Sequence, residues 1–144
     1  MIKTACCLAL LLFTITSVSA QETIDKRVVK NRGKQAEEAF QYNKNSYNYY
    51  IFELDRSHWM TSASSLNDTE KGLIQPASNF KNELGEMLTY DAASAATFNF
   101  YEYGIRLSKE QRLFVALDEE HVIAFYSIPE LSKLFSNSEF NSKR

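Results

Sequence analysis

Asp55, Ser57 and His58 stand together in the stretch DRSHW and supply a carboxylate, a hydroxyl and an imidazole. Such a set makes a nucleophile when the imidazole takes the hydroxyl proton and the carboxylate orients the imidazole. Neighbouring residues at a helix end point in divergent directions, so Ser57 and His58 are not expected to face each other. The stretch reads more simply as a polar helix terminus, where a histidine cation suits the carbonyl end.

The second cluster is DEEH, Asp118 to His121, which gathers metal-ligand residue types into one turn. A zinc site needs three or four ligands converging from different directions, and consecutive residues at a hairpin tip rarely converge. A solvated turn is the expected reading, against a weak divalent-cation site. Paired acids such as Glu83 and Glu86 leave a small carboxylate-dependent hydrolase as an alternative. No glycine-rich loop follows a strand pattern, so a nucleotide phosphate cradle has no support. No catalytic residue, metal site or cofactor is therefore assigned, and the chain is read as a non-enzyme.

What remains is the ring content: Tyr 8, Phe 10 and Trp 1 in 144 residues. An exposed tyrosine joins an apolar face to a hydroxyl, which suits protein interfaces and sugar rings. Tyr49, Tyr101 and Tyr103 are the candidate binding residues, with Tyr42 beside them, because the expected elements place them off the core face. The plainer reading is that partly exposed tyrosine is ordinary on a small domain.

The N-terminus reads as an export signal. Lys3 precedes an apolar run from Ala5 to Ile15, and Val18 and Ala20 are the small residues of a cleavage site before Gln21. The apolar run is short for a membrane span, so an integral membrane protein is not expected. Cys6 and Cys7 precede the run and would leave with the leader, so the exported chain has no disulfide framework. The formal net charge of −2 argues against nucleic acid as the main partner. One basic run, KRVVKNRGK, covers Lys26 to Lys34 and is expected to be a solvated lead-in, not an anion-binding surface.

The elements that must position these residues are read from period and punctuation. Residues 21–33 are expected to be a flexible basic segment, 34–136 one globular domain and 137–144 a polar tail. In the first half, Ala36, Phe40, Tyr47, Tyr50, Ile51 and Leu54 share one helical stripe, which predicts a long helix from Lys34 to Asp55. As a strand, the same stretch would put Tyr47 and Tyr49 on one face. Asn67 and Glu70 have capping-box spacing for a short second helix that Gly72 and Pro76 end. Phe80, Leu84, Met87 and Leu88 suggest a third helix.

From Thr97 the period shortens. Strands are expected within 97–107, from Leu113 to Leu117 and from Val122 to Ile128, joined by short polar connections. Pro129 then opens a closing helix that buries Leu131, Leu134 and Phe135. The expected fold is α+β: N-terminal helices packed on a small C-terminal three-stranded antiparallel meander, with a closing C-terminal helix.

The functional expectation follows from what is missing as well as what is present. The chain is expected to be a secreted or periplasmic binding module for a protein or cell-envelope component, acting through an aromatic-rich face. The alternatives are the small hydrolase and a self-associating subunit, a homo-oligomer that buries its rings between copies.

Overall fold

A computed structural model of the chain describes residues 22–141. The export signal expected over residues 1–20, and residues 142–144 of the polar tail, lie outside the described residues.

The basic run expected to be a flexible lead-in is helical. Helix α1, Lys26–Arg32, is capped by Asp25, whose side chain accepts the Arg27 N–H at 2.8 Å. Val28 on this helix is only 1% exposed. Three of its basic side chains are ion-paired: Arg27 with Asp25 and Asp55, Lys30 with Glu102, and Arg32 with Glu53. The run therefore fastens α1 to the rest of the domain, which its sequence spacing alone does not reveal.

Gly33 ends α1 at φ 53 and ψ −129, a backbone region that side-chain-bearing residues avoid, and turns the chain into α2, Lys34–Tyr42. Asn43 then interrupts what was expected as one helix. It leaves helical geometry at φ −141 and ψ 77, and its side chain accepts the Ser46 N–H to cap α3, Lys44–Arg56. Ala36, Tyr47 and Leu54 of the expected stripe are buried. Phe52 and Glu53 are buried too, because α3 is covered on a second side.

The sheet has four strands in the order β1-β4-β3-β2: β1 His58–Ser62, β2 Ile74–Pro76, β3 Leu113–Ala116 and β4 His121–Phe125. Strand β4 pairs antiparallel with β1 and β3, whereas β2 runs parallel to β3. This corrects the three-stranded antiparallel meander: the β3–β4 hairpin is present, but the place beside β3 expected for a strand within 97–107 is taken by the parallel β2, and β1 adds a fourth strand beyond β4. Residues Phe100–Tyr103 instead form a 3-10 turn that Gly104 closes at φ 75. The alternation that imitated a strand arises because Phe98 and Phe100 both turn into the core.

Residues 78–90 are not a helix either. The Asn82 side chain accepts the N–H groups of Leu84 and Glu86, at 3.0 and 2.9 Å, which holds a tight loop. Gly85 has φ 79, and Lys81 bridges to Met87 across the loop. Leu84, expected inside, sits at the tip and is 82% exposed.

Alternation in the strands serves two cores. Val115, Ile123 and Phe125 face α1 to α3 together with Phe98, Phe100 and Ile105. Phe114, Val122 and Ala124 face Leu66 and Trp59, next to the short helix α4, Asp68–Lys71. Burying each of the larger aliphatic and phenylalanine side chains contributes about 1.5–3 kcal/mol. The last helix, α5, Ile128–Ser136, starts with a Ser127–Glu130 capping box and packs Leu131 and Phe135 on Phe52 of α3. Residues 137–141 continue as turns, and Asn48 donates to the Phe140 carbonyl at 3.0 Å. Among the described residues no helix is long and apolar enough to cross a membrane.

Candidate functional site

A cleft of about 750 Å³ opens where the end of α1, the middle of α3, the Asn82 loop and the Phe100–Tyr103 turn meet. Lys30, Asn31 and Arg32 come from α1, Glu53 from α3, and Tyr101 and Glu102 from the turn. Asn82, Glu83 and Leu84 form one lip, while Arg106, Leu107 and Ile128 complete the wall.

Glu53 lies in this cleft with a side chain only 7% exposed. A buried carboxylate is strongly destabilising unless charges or hydrogen bonds compensate it. Here Arg32 Nη2 lies 2.8 Å from Glu53 Oε1, and the Tyr101 hydroxyl donates to the same oxygen. Among the described residues Oε2 has no hydrogen-bond partner, so one acceptor on Glu53 is unspent. Burial, and then the neighbouring Glu53 carboxylate, push the Tyr101 phenol well above its ordinary range, so it stays protonated and donates. The Arg32 guanidinium also lies over the Tyr50 ring, 4.9 Å from its centroid.

Arg106 is held differently. Its Nη1 donates to the Ile105 carbonyl at 2.8 Å and the Tyr101 carbonyl at 3.3 Å. Its guanidinium carbon lies 5.0 Å from the Tyr101 ring centroid. Among the described residues it forms no ion pair. Across the cleft Lys30 binds Glu102 at 2.9 Å and also feels Glu83; the Glu102 bond leads in raising its pKa. Three cations and three acids therefore line the walls, but Arg106 and Glu83 have no salt-bridge partner among the described residues.

Of the expected binding residues, only Tyr101 belongs to the cleft. Tyr103 lies nearly parallel to Phe98 at 6.3 Å, and Tyr49 packs edge-on against Phe135 at 5.1 Å. The Tyr49 phenol is raised chiefly by burial. Tyr42 is 81% exposed at the end of α2. Tyr101 and Tyr103 pack against one core cluster and Tyr49 against another. Glu53, Arg32 and Arg106 escaped the sequence reading. The available signal was an acid between Phe52 and Leu54, a position that burial makes costly unless a base arrives from elsewhere.

The serine–histidine–carboxylate set does not assemble. Asp55 is bound to Arg27 at 2.9 Å, and the buried Ser57 hydroxyl and His58 Nδ1 have no hydrogen-bond partner among the described residues. His58 starts β1, not a helix terminus, and its ring packs against Tyr90, Phe98, Phe100 and Phe125. Burial, and then the Arg27 charge, lower its pKa from 6.5 to about 4. The DEEH stretch is the β3–β4 turn: Asp118 accepts the backbone N–H groups of Glu120 and His121 and pairs with the His121 ring at 2.8 Å. Among the described residues no group of three or more His, Cys, Asp or Glu is placed to hold a metal ion.

Comparison with family models, with curated proteins and with solved structures finds no match for the chain.

Proposed function

We propose that the protein is an exported, non-catalytic binding module that recognises a protein or cell-envelope component through the cleft around Tyr101. The observation that carries this reading is the cleft of about 750 Å³, a ligand-sized recess with preset polar groups. Arg32, Tyr101 and Arg106 are locked by ring contacts and hydrogen bonds, so a partner meets donors that are already oriented. Export rests on the leader pattern from Lys3 to Ala20, with the chain secreted or periplasmic after cleavage.

The hydrolase alternative has less behind it. A carboxylate-dependent hydrolase divides roles between one protonated and one ionised acid. Glu53 and Glu102 are each bound to a cation, Arg32 and Lys30, so the geometry does not set one apart from the other as acid and base.

The test is a titration of the isotopically labelled domain with purified envelope proteins, peptidoglycan fragments and envelope glycans. Amide shifts concentrated at Tyr101, Glu102, Arg106 and Leu84, with the titrant recovered unchanged, are expected. Shifts confined to another surface, or chemical turnover of the titrant, would overturn the reading.

A further inference from the structure

Two unspent groups in the cleft are joined by one side chain. Tyr101 donates its hydroxyl to Glu53, and its ring lies beneath Arg106. Arg106 uses only Nη1 on carbonyl oxygens, so among the described residues its Nε and Nη2 groups have no acceptor. That edge is a two-pronged donor that matches the two oxygens of a carboxylate. Glu53, whose Oε1 takes the hydroxyl of the same tyrosine, has in Oε2 an acceptor with no donor among the described residues.

We propose that the cleft takes an acidic sugar, a pyranose whose carboxylate is gripped by the Nε/Nη2 edge of Arg106 while a hydroxyl donates to Glu53. This inference rests on the binding-module reading above. Three features select the class. First, the Tyr101 ring stands between the two groups: the Arg106 guanidinium carbon is 5.0 Å from its centroid and Glu53 takes its hydroxyl. A pyranose ring spans that gap between carboxylate and distal hydroxyl, whereas a free α-amino acid places its charges on adjacent atoms. Second, Arg32 already neutralises Glu53, so a neutral hydroxyl suffices there and a ligand ammonium is not required. Third, Leu107 and Ile128 on the wall, with Leu84 on the lip, are apolar lining residues available to the C–H face of a sugar. Glu83 and Glu102 on the walls disfavour a phosphate dianion, which carries more charge than Arg106 alone can offset.

The test is calorimetric titration with disaccharides containing glucuronic or galacturonic acid, with the matching neutral disaccharides and free glutamate as further arms. The acidic disaccharides are expected to bind at least about tenfold more tightly than the neutral ones, and glutamate not at all. Arg106→Gln removes a charge from an exposed side chain, so the fold is expected to survive, as circular dichroism would verify. It is expected to weaken acidic-sugar binding by about 10- to 100-fold. Arg106→Lys keeps the charge but loses the fork and should fall between the two. Equal binding of neutral and acidic sugars, or binding indifferent to Arg106→Gln, overturns the proposal. If cleft amides respond to a protein or a peptide but to no sugar, the ligand class fails and the binding reading stands. Silence of those amides toward every titrant overturns both.

Discussion

Tyr101→Phe removes one hydroxyl and leaves Glu53 with Arg32 as its remaining partner. An acceptor that loses a buried donor costs about 1–3 kcal/mol. Chemical denaturation should therefore show a lower midpoint with an unchanged slope. His58 makes a second measurable claim. Its folded pKa of about 4 lies below the ordinary 6.5, so the unfolded chain binds the proton more readily. The sign follows by linkage: His58 leaves stability intact above about pH 6.5, and stability falls as pH drops through the interval down to about 4. The loss amounts to about 3 kcal/mol at most. His58→Phe removes this titration, so its melting temperature should change less between pH 7 and 4.5 than that of the parent. The groups facing His58 are Tyr90 and the Arg27 cation, the latter fixed by Asp25 and Asp55.

Among the elements, punctuation was legible where it is local. The Asn67–Glu70 capping box is formed as its spacing predicts. The hairpin strands are present, each ending short of its expected bound, and the closing helix begins beside Pro129. Errors arose where a side chain redirects its own backbone. Asn43 splits the first long helix and Asn82 holds the loop that replaced a helix, each through hydrogen bonds to nearby N–H groups. Apolar spacing cannot register that competition. Gly33→Ala is the matching test, since φ 53 with ψ −129 suits only glycine. It should destabilise by about 1–3 kcal/mol in thermal unfolding and loosen amide protection in α1.

At the scale of the whole molecule, the exposed large apolar residues Tyr42, Met60, Leu84, Met87 and Leu134 lie on several elements, and only Leu84 and Met87 share a loop. Scattered exposure is ordinary, and a dimer needs a contiguous patch. The protein is expected to be monomeric at micromolar concentration; sedimentation showing a concentration-dependent dimer would reinstate the self-associating alternative. Helix α1 is fastened by ion pairs that reach Asp55, Glu53 and Glu102. Arg27 and Glu53 are the more buried members, with side chains 14% and 7% exposed. Of the three anchors, the Lys30–Glu102 pair is the most open, and salt screening should weaken it first.

The amino-acid sequence by itself determined what depends on near neighbours: the caps, the hairpin, the closing helix and a mixed α+β character. It also held the stripe of Ala36, Tyr47 and Leu54 that became core. Tertiary structure alone decided the parallel pairing of β2 with β3, the place of β1 at the sheet edge, and the curling of Phe98 and Phe100 inward. It also decided the candidate site, because Arg32, Glu53 and the Tyr101–Arg106 segment stand far apart along the chain. Short strands carry little periodic signal, and the cost of burying Glu53 is offset only once Arg32 and Tyr101 arrive from distant segments. Local pattern constrains local geometry, whereas the partners of a buried charge are set by how the elements pack.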